Sequence, residues 1–341
     1  MSLLFELPVF ELVHAESTEE ALFFLSKYAG RVCVLAGGTD LLALMKDRVN
    51  GPQLRIPEIL LNIKTISGMD QITFDREASL RIGSTVTLNR FDSSDVIRQE
   101  FSVLAQAARE VGTTQIRNMG TIGGNLCQRP RCMYFRHPHF VCRKKGGSKC
   151  YAMTGEHRYY HSITEHGKCL MVHPSDMATA LVALGAKALL ACQEGEKEIP
   201  LKDFFLPATQ FTETALKPDE FLSGVKVPVL KSETYQVFLK SRIRRSSDFA
   251  LSSVAIVTQI SGRVCDDIQI VLGGVAPFPY IASQAVEMVK GEKLTEKLIE
   301  QAANASVEKT HPLPDNRYKV DLTKVLVARA LKSIMNSSRQ K

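Results

Sequence analysis

The chain contains no tryptophan, and aromatic residues make up only 7% of its 341 positions. No stretch approaches the ~18 consecutive apolar residues that a membrane-spanning helix needs. The opening segment, 1–10, has no charged region followed by a long apolar run, so it does not read as a secretory leader. These two absences predict a cytoplasmic protein with no membrane span. The usual nucleotide signatures are missing as well: neither glycine-rich loop spells G-x-G-x-x-G or ends in Gly-Lys-Ser/Thr, which argues against a Rossmann domain and a P-loop ATPase. There is no helix-turn-helix signal, no zinc-finger spacing and no aromatic-rich RNA motif. The net charge of +7 therefore predicts a general preference for acidic partners, not nucleic acid. Internal repeats and low-complexity tracts are absent.

What is present is the make-up of a globular protein of two or three domains, 45% hydrophobic and 23% charged. Ser17-Thr-Glu-Glu20 reads as a capping box opening a helix to about Tyr28. Val32 to Leu35 is a buried strand that breaks at Ala36-Gly-Gly-Thr-Asp40, and a short helix resumes at Leu41. Ile59 to Ile63 and Leu80 to Ile82 are further strands. Asp92 to Val111 reads as one helix, capped by Ser93 or Ser94, with Val96, Ile97, Phe101, Leu104, Ala105 and Ala108 on one face. A polar, glycine-rich loop follows, Thr113 to Asn125. Ser175-Asp176 caps a helix from Met177 to Leu184. Beyond Lys231, Tyr235 to Leu239 and Ser253 to Ile260 alternate like strands and Ile268 to Leu272 is another. Helices at Thr295 to Val307 and Leu322 to Met335 close the chain.

Adjacent glycines bare backbone N–H groups and leave room for a phosphate to approach. Loop one, Leu35 to Leu41, lies between a strand and a helix, where a pyrophosphate is favoured. Loop two, Gly120 to Asn125, adds a second set of donors, with Thr39, Thr121 and Asn125 supplying side-chain hydrogen bonds. A single such loop is as well explained by a tight strand-to-helix turn.

The stretch 127–168 has no apolar period and is dominated by Arg, Lys, Tyr, His and Cys. Five of the eight cysteines, Cys127, Cys132, Cys142, Cys150 and Cys169, fall in or beside it. Cys33, Cys192 and Cys265 lie in apolar runs and read as core thiols. In a cytosolic protein such crowding suggests metal before disulfides. Thiolates suit an iron–sulfur cluster, and Arg129, Arg131, Arg136, Arg143, Lys144, Lys145 and Lys149 could offset its negative charge or form a solvated face. Structural zinc also takes four cysteines, but the paired C-x2-C knuckles are lacking.

Val34-Leu-Ala-Gly-Gly-Thr-Asp-Leu-Leu42, Gln115-Ile-Arg-Asn-Met-Gly-Thr-Ile-Gly-Gly-Asn-Leu126, His173-Pro-Ser-Asp-Met-Ala178, Lys240 and Ser247-Asp-Phe-Ala250 resemble, in order, motifs of the molybdopterin-dehydrogenase FAD-binding family. Its members are flavoprotein subunits or domains of xanthine dehydrogenase, carbon monoxide dehydrogenase and 4-hydroxybenzoyl-CoA reductase. The resemblance implies an α+β fold: a two-part vanillyl-alcohol-oxidase-type (PCMH-type) FAD-binding domain over 1–225, then a smaller α+β domain over 231–337 like the C-terminal domain of CO dehydrogenase flavoprotein. It implies FAD as cofactor, with Leu35, Ala36, Gly37, Gly38, Thr39, Asp40 and Leu41 at the pyrophosphate. Thr121, Gly124 and Asn125 would line the phosphates and flavin, Asp176 would reach the ribityl or adenosine end, and Lys240 would lie beside the isoalloxazine ring. On the residues alone, Asp176 could be a helix cap and Lys240 a solvated surface lysine.

Gln128-Arg-Pro-Arg-Cys132-Met-Tyr-Phe-Arg136, Cys142, Cys150 and Gly155-Glu-His-Arg158 resemble the cluster-bearing insertion of 4-hydroxybenzoyl-CoA reductase, and more closely that of periplasmic-type aldehyde oxidoreductase flavin subunits. This implies a [4Fe–4S] cluster in an insertion at about 127–169. The fourth cysteine of the reductase pattern falls on Tyr159 here, so the implied ligands are Cys132, Cys142, Cys150 and Cys169, with Cys127 in reserve. The implied role is an electron-transfer subunit of an oxidoreductase, with no catalytic residue of its own. Its implied partners are a molybdopterin-binding large subunit, a small [2Fe–2S] ferredoxin-like subunit and an external electron carrier such as ferredoxin. The cluster would lie on a solvent-facing edge, between FAD and carrier, with the basic patch docking the carrier. A self-sufficient flavin oxidoreductase would need a His/Tyr/Glu constellation that the chain does not show. A non-enzymatic iron–sulfur or scaffold module is the remaining alternative.

Overall fold

In the computed structural model, residues 6–209, 211–244, 247–262 and 264–338 are described. Three sheets organise the chain. Strands Glu11–His14, Ile59–Asn62 and Val32–Leu35 form, in that order, a parallel sheet. Helix Thr18–Lys27 packs Ala21, Leu22 and Leu25 into its core with Leu61. Ser17 caps that helix by accepting from the Glu20 N–H, but Glu20 reaches back to the N–H of Glu16 instead of Ser17.

The second sheet is antiparallel, in the order Ile72–Asp75, Ser79–Gly83, Phe221–Pro228, Lys187–Cys192, Gly195–Pro200. Its apolar face and helices Ser102–Arg109 and Asp176–Ala183 share the largest core. The single helix expected over Asp92 to Val111 is instead three, Leu88–Ser93, Asp95–Glu100 and Ser102–Arg109. Ser94 is extended and caps the middle one through the Ile97 N–H, and Phe101 leaves helical geometry to bury its ring. A face count cannot see such breaks, because each short helix keeps its own apolar residues inward.

The third sheet runs Tyr280–Ile281, Val264–Gly273, Ser252–Ser261, Thr234–Ser241. Its strand Ser252–Ser261 is buried on both faces. Val254 and Ile256 meet the C-terminal helices, while Ala255 and Val257 join the core of the preceding region. Thr234–Ser241 packs on helix Ser102–Arg109, and its Lys240 reaches Asp176 at the start of helix Asp176–Ala183. Helices Ser283–Val289, Glu296–Ala305 and Tyr318–Ser338 cover the outer face. The mixed helix-and-strand class is as expected. Among the described residues, no helix is long and apolar enough to cross a membrane.

Candidate functional site

Loop one follows strand Val32–Leu35 and leads into helix Leu41–Lys46, as read from the sequence. The expected open loop at 113–125 is two short helices, Thr114–Met119 and Ile122–Leu126, separated at Gly120. Thr113 and Thr121 cap them through the N–H groups of Ile116 and Gly124. The two glycine-rich segments touch directly: a Cβ on Gly37 would lie 2.2 Å from the Met119 carbonyl oxygen and 2.9 Å from the Gly120 Cα. Backbone-on-backbone packing therefore already requires glycine at position 37. A Cβ on Gly124 would meet only the Thr121 hydroxyl, at 3.3 Å.

Beside this junction opens a cleft of about 320 Å³. Of the residues expected to hold the cofactor, Thr39, Asp40, Thr121, Gly124, Asn125, Asp176 and Lys240 line it; Leu35, Ala36, Gly37, Gly38 and Leu41 do not. Leu88, Val111 and Ile116 give it apolar wall. Such a mixture suits a planar, amphiphilic ligand with a polar tail.

Lys240 is not a solvated lysine. Its side chain is 1% exposed, its Nζ lies 2.6 Å from Asp176 Oδ2, and it donates to the Glu110 carbonyl at 2.8 Å. Burial pushes the Asp176 carboxyl up, and the Lys240 charge offsets part of that. Ser175, not Asp176, caps the helix, its hydroxyl accepting from the Ala178 N–H. The Asp40 carboxylate is turned away from a phosphate-binding role. It accepts from the Arg129 N–H at 2.8 Å and pairs with Arg131 at 2.8 Å and Arg136 at 2.7 Å. Arg131 itself lines the cleft and stacks 4.5 Å over the Phe249 ring.

Those arginines begin the cysteine-rich segment, which holds only short helical turns at Met133–Arg136, Arg143–Lys145 and Tyr151–Met153. Cys132, Cys142, Cys150 and Cys169 all line one small chamber, closed by Tyr134, Phe135, Tyr151 and Met171. Backbone N–H groups are directed at each sulfur: Phe135 and Tyr134 at Cys132, Lys144 and Lys145 at Cys142, Leu170 and Ala152 at Cys150, Met171 at Cys169. Burial pushes the Cys132 thiol up to about 11. A hydrogen bond from Cys169 pulls Cys150 down. Cys127 stands outside the chamber beside Cys33, and burial raises it to about 12. Among the described residues, no three His, Cys, Asp or Glu side chains are gathered to hold a single metal ion, and the cysteines are free thiols.

Two members of the expected basic patch are buried. Lys144 is 2% exposed and pairs with Glu213, as does Arg129; Lys145 is fully buried and donates to the His137 carbonyl. They are internal struts of the segment and cannot dock a carrier. Sequence reasoning also passed over His161, whose Nε2 lies 3.3 Å from Cys132 Sγ. A lone histidine in a polar stretch carries no periodic or motif signal.

Residues 8–230 match the family model described as the FAD binding domain in molybdopterin dehydrogenase, and residues 236–334 match the CO dehydrogenase flavoprotein C-terminal domain. The chain belongs to this family, and it is the FAD-binding medium subunit of an oxidoreductase of the molybdenum hydroxylase class. Among its relatives, the aldehyde oxidoreductase FAD-binding subunit PaoB of Escherichia coli is 33% identical over 89% of this chain and 91% of that protein. The glyceraldehyde dehydrogenase medium chain of Sulfolobus acidocaldarius is 28% identical, over 96% and 99%. The structure of carbon monoxide dehydrogenase from Hydrogenophaga pseudoflava superposes with a TM-score of 0.77 at 25% identity, covering 96% of this chain and 98% of that one.

Proposed function

We propose that the subunit carries electrons between a molybdenum-bearing partner and an external acceptor, using FAD in the cleft and a [4Fe–4S] cluster in the thiol chamber. Thr39, Thr121, Gly124 and Asn125 contact the cofactor directly, and the backbone of Leu35 to Leu41 shapes the wall behind them. Lys240 and Asp176 form the charged floor. A cation fixed there favours negative charge on a bound ring. Redox chemistry would come from the cofactors, and the chain's own residues bind and orient them.

The convergence of Cys132, Cys142, Cys150 and Cys169 on one chamber, each with backbone N–H groups directed at it, carries the cluster reading. Four thiols with N–H donors to sulfur form a donor set suited to a cubane. Arg131 lines the cleft while Cys132, its neighbour in sequence, lines the chamber, which supports direct communication between the two. The medium-chain relatives support a large molybdopterin-binding subunit and a small [2Fe–2S] subunit as partners; the acceptor in this proposal is an external carrier such as ferredoxin. We place the domain division between 225 and 231, around the end of strand Phe221–Pro228.

Anaerobic purification of the complex tests the reading. We expect one FAD and about four iron and four acid-labile sulfide per subunit beyond those of the partners, as a Cys-ligated cubane requires. Stoichiometric zinc without labile sulfide in the chamber refutes the cluster.

A further inference from the structure

We propose that His161 tunes the redox potential of the chamber's cluster by donating an N–H···S hydrogen bond from its Nε2 to the Cys132 thiolate. The inference rests on the cluster reading above. His161 is buried, and its Nε2 lies 3.3 Å from Cys132 Sγ. Its other ring nitrogen, Nδ1, is equally buried and has no hydrogen-bond partner.

The placement of the proton follows from the partners. A metal-bound thiolate has no proton to give and can only accept. A neutral imidazole carries one N–H, and Nε2 is the ring nitrogen within hydrogen-bond reach of the Cys132 sulfur. An imidazolium would carry a proton on Nε2 as well, so the donor does not depend on the charge of the ring.

The backbone carrying the ring is held on several sides. His161 pairs with Met171 in an isolated antiparallel bridge, which sets it beside the strand of chain carrying Cys169. The fully buried Lys319 donates to the His161 carbonyl at 2.8 Å, and to the carbonyls of Tyr159 at 3.2 Å and Gly274 at 2.6 Å. The neighbouring Ser162 carbonyl accepts from Asn316 at 3.1 Å. The backbone that carries the imidazole is thus tied to Asn316 and Lys319, at the start of the C-terminal helix.

A hydrogen bond to a ligand sulfur withdraws electron density and favours the more negative, reduced cluster, so it raises the reduction potential. His161 is a positioning and tuning residue, distinct from the four ligands.

The test compares the wild-type complex with His161→Leu and His161→Gln. Iron and labile sulfide are counted, and the cluster is titrated potentiometrically by the electron paramagnetic resonance of its reduced form. We expect His161→Leu to keep its iron and to shift the one-electron equilibrium between flavin and cluster roughly tenfold toward the flavin, a fall of about 59 mV for the cluster. His161→Gln keeps an N–H donor and should return most of that shift. An unchanged potential in an iron-replete His161→Leu complex overturns the proposal. Iron loss in both variants, with residual clusters at the wild-type potential, overturns it too, since His161 would then act only in packing. A wild-type complex with no labile sulfide assignable to this subunit overturns the cluster reading itself, and is told apart by the iron count before any titration.

Discussion

Replacing Lys240 with methionine keeps most of the side-chain volume and removes one charge. What remains is Asp176, 5% exposed, with its cation gone and the Glu110 carboxylate still nearby. Arg242 is engaged with Glu110 at 2.6 Å and cannot take over. Breaking a buried pair from one side costs about 3–5 kcal/mol, because a bare charge is left in a poor solvent for it. Burial already pushes the Asp176 carboxyl up and the Lys240 charge offsets part of that, so removing the cation raises it further. The sign follows. A folded-state value raised above the unfolded one gives stability that is present in acid and lost as pH rises through the raised value. Denaturant unfolding should therefore show Lys240→Met strongly destabilised at pH 8 and progressively less so as the pH falls. The double variant with Asp176→Asn should recover most of the loss at pH 8. Equal destabilisation at both pH values would refute the buried-charge argument, and a cost below about 1 kcal/mol would mean the pair behaves like an exposed one.

Gly37→Ala should strip FAD from the purified subunit, read as the ratio of absorbance at the flavin and protein maxima, because its Cβ lands 2.2 Å from the Met119 oxygen. Gly124→Ala, with a single soft contact at 3.3 Å, should keep most of its flavin. Asp40→Ala leaves two arginines without their carboxylate, losing charged hydrogen bonds of about 1.5–3 kcal/mol each; limited trypsin digestion should then cut between 129 and 149 faster than in wild type. Serine at Cys132, Cys142, Cys150 or Cys169 should lower the iron count, while Cys127→Ser should leave it unchanged. The reverse result for Cys127 and Cys169 would mean that the chamber is not the cluster site.

Much of the cleft was legible because it is built from local devices. A strand, a glycine pair and a helix start are adjacent in sequence, and the Thr39 and Thr121 hydroxyls come with them. The pairing of Lys240 with Asp176 was not legible: it joins an edge strand to a helix start far away in the chain, and neither neighbourhood looks unusual alone. The strand Ser252–Ser261 shows the same limit. Ser253, Thr258 and Gln259 interrupt its apolar run and suggest one wet face, yet both faces are covered. In the insertion there is no period to read, so charge was assigned to the surface by default. Lys144 and Lys145 lie inside because Glu213, from outside the insertion, and the His137 carbonyl, from within it, meet them there.

The Asp40 clamp bears on how such a segment could be moved between proteins. Its carboxylate sits at the end of the glycine loop, beside the place proposed for a diphosphate, and pairs with Arg131 and Arg136 of the insertion. A graft of residues 127–169 into a simpler flavin scaffold would have to carry an acidic residue at this position with it, or the incoming arginines would lack their anchor. The opposite operation fails for the matching reason. Excising the segment while keeping Asp40 would leave that carboxylate without the arginine partners it has here. Loop and insertion are therefore exchangeable only as a pair, and position 40 is the joint between them.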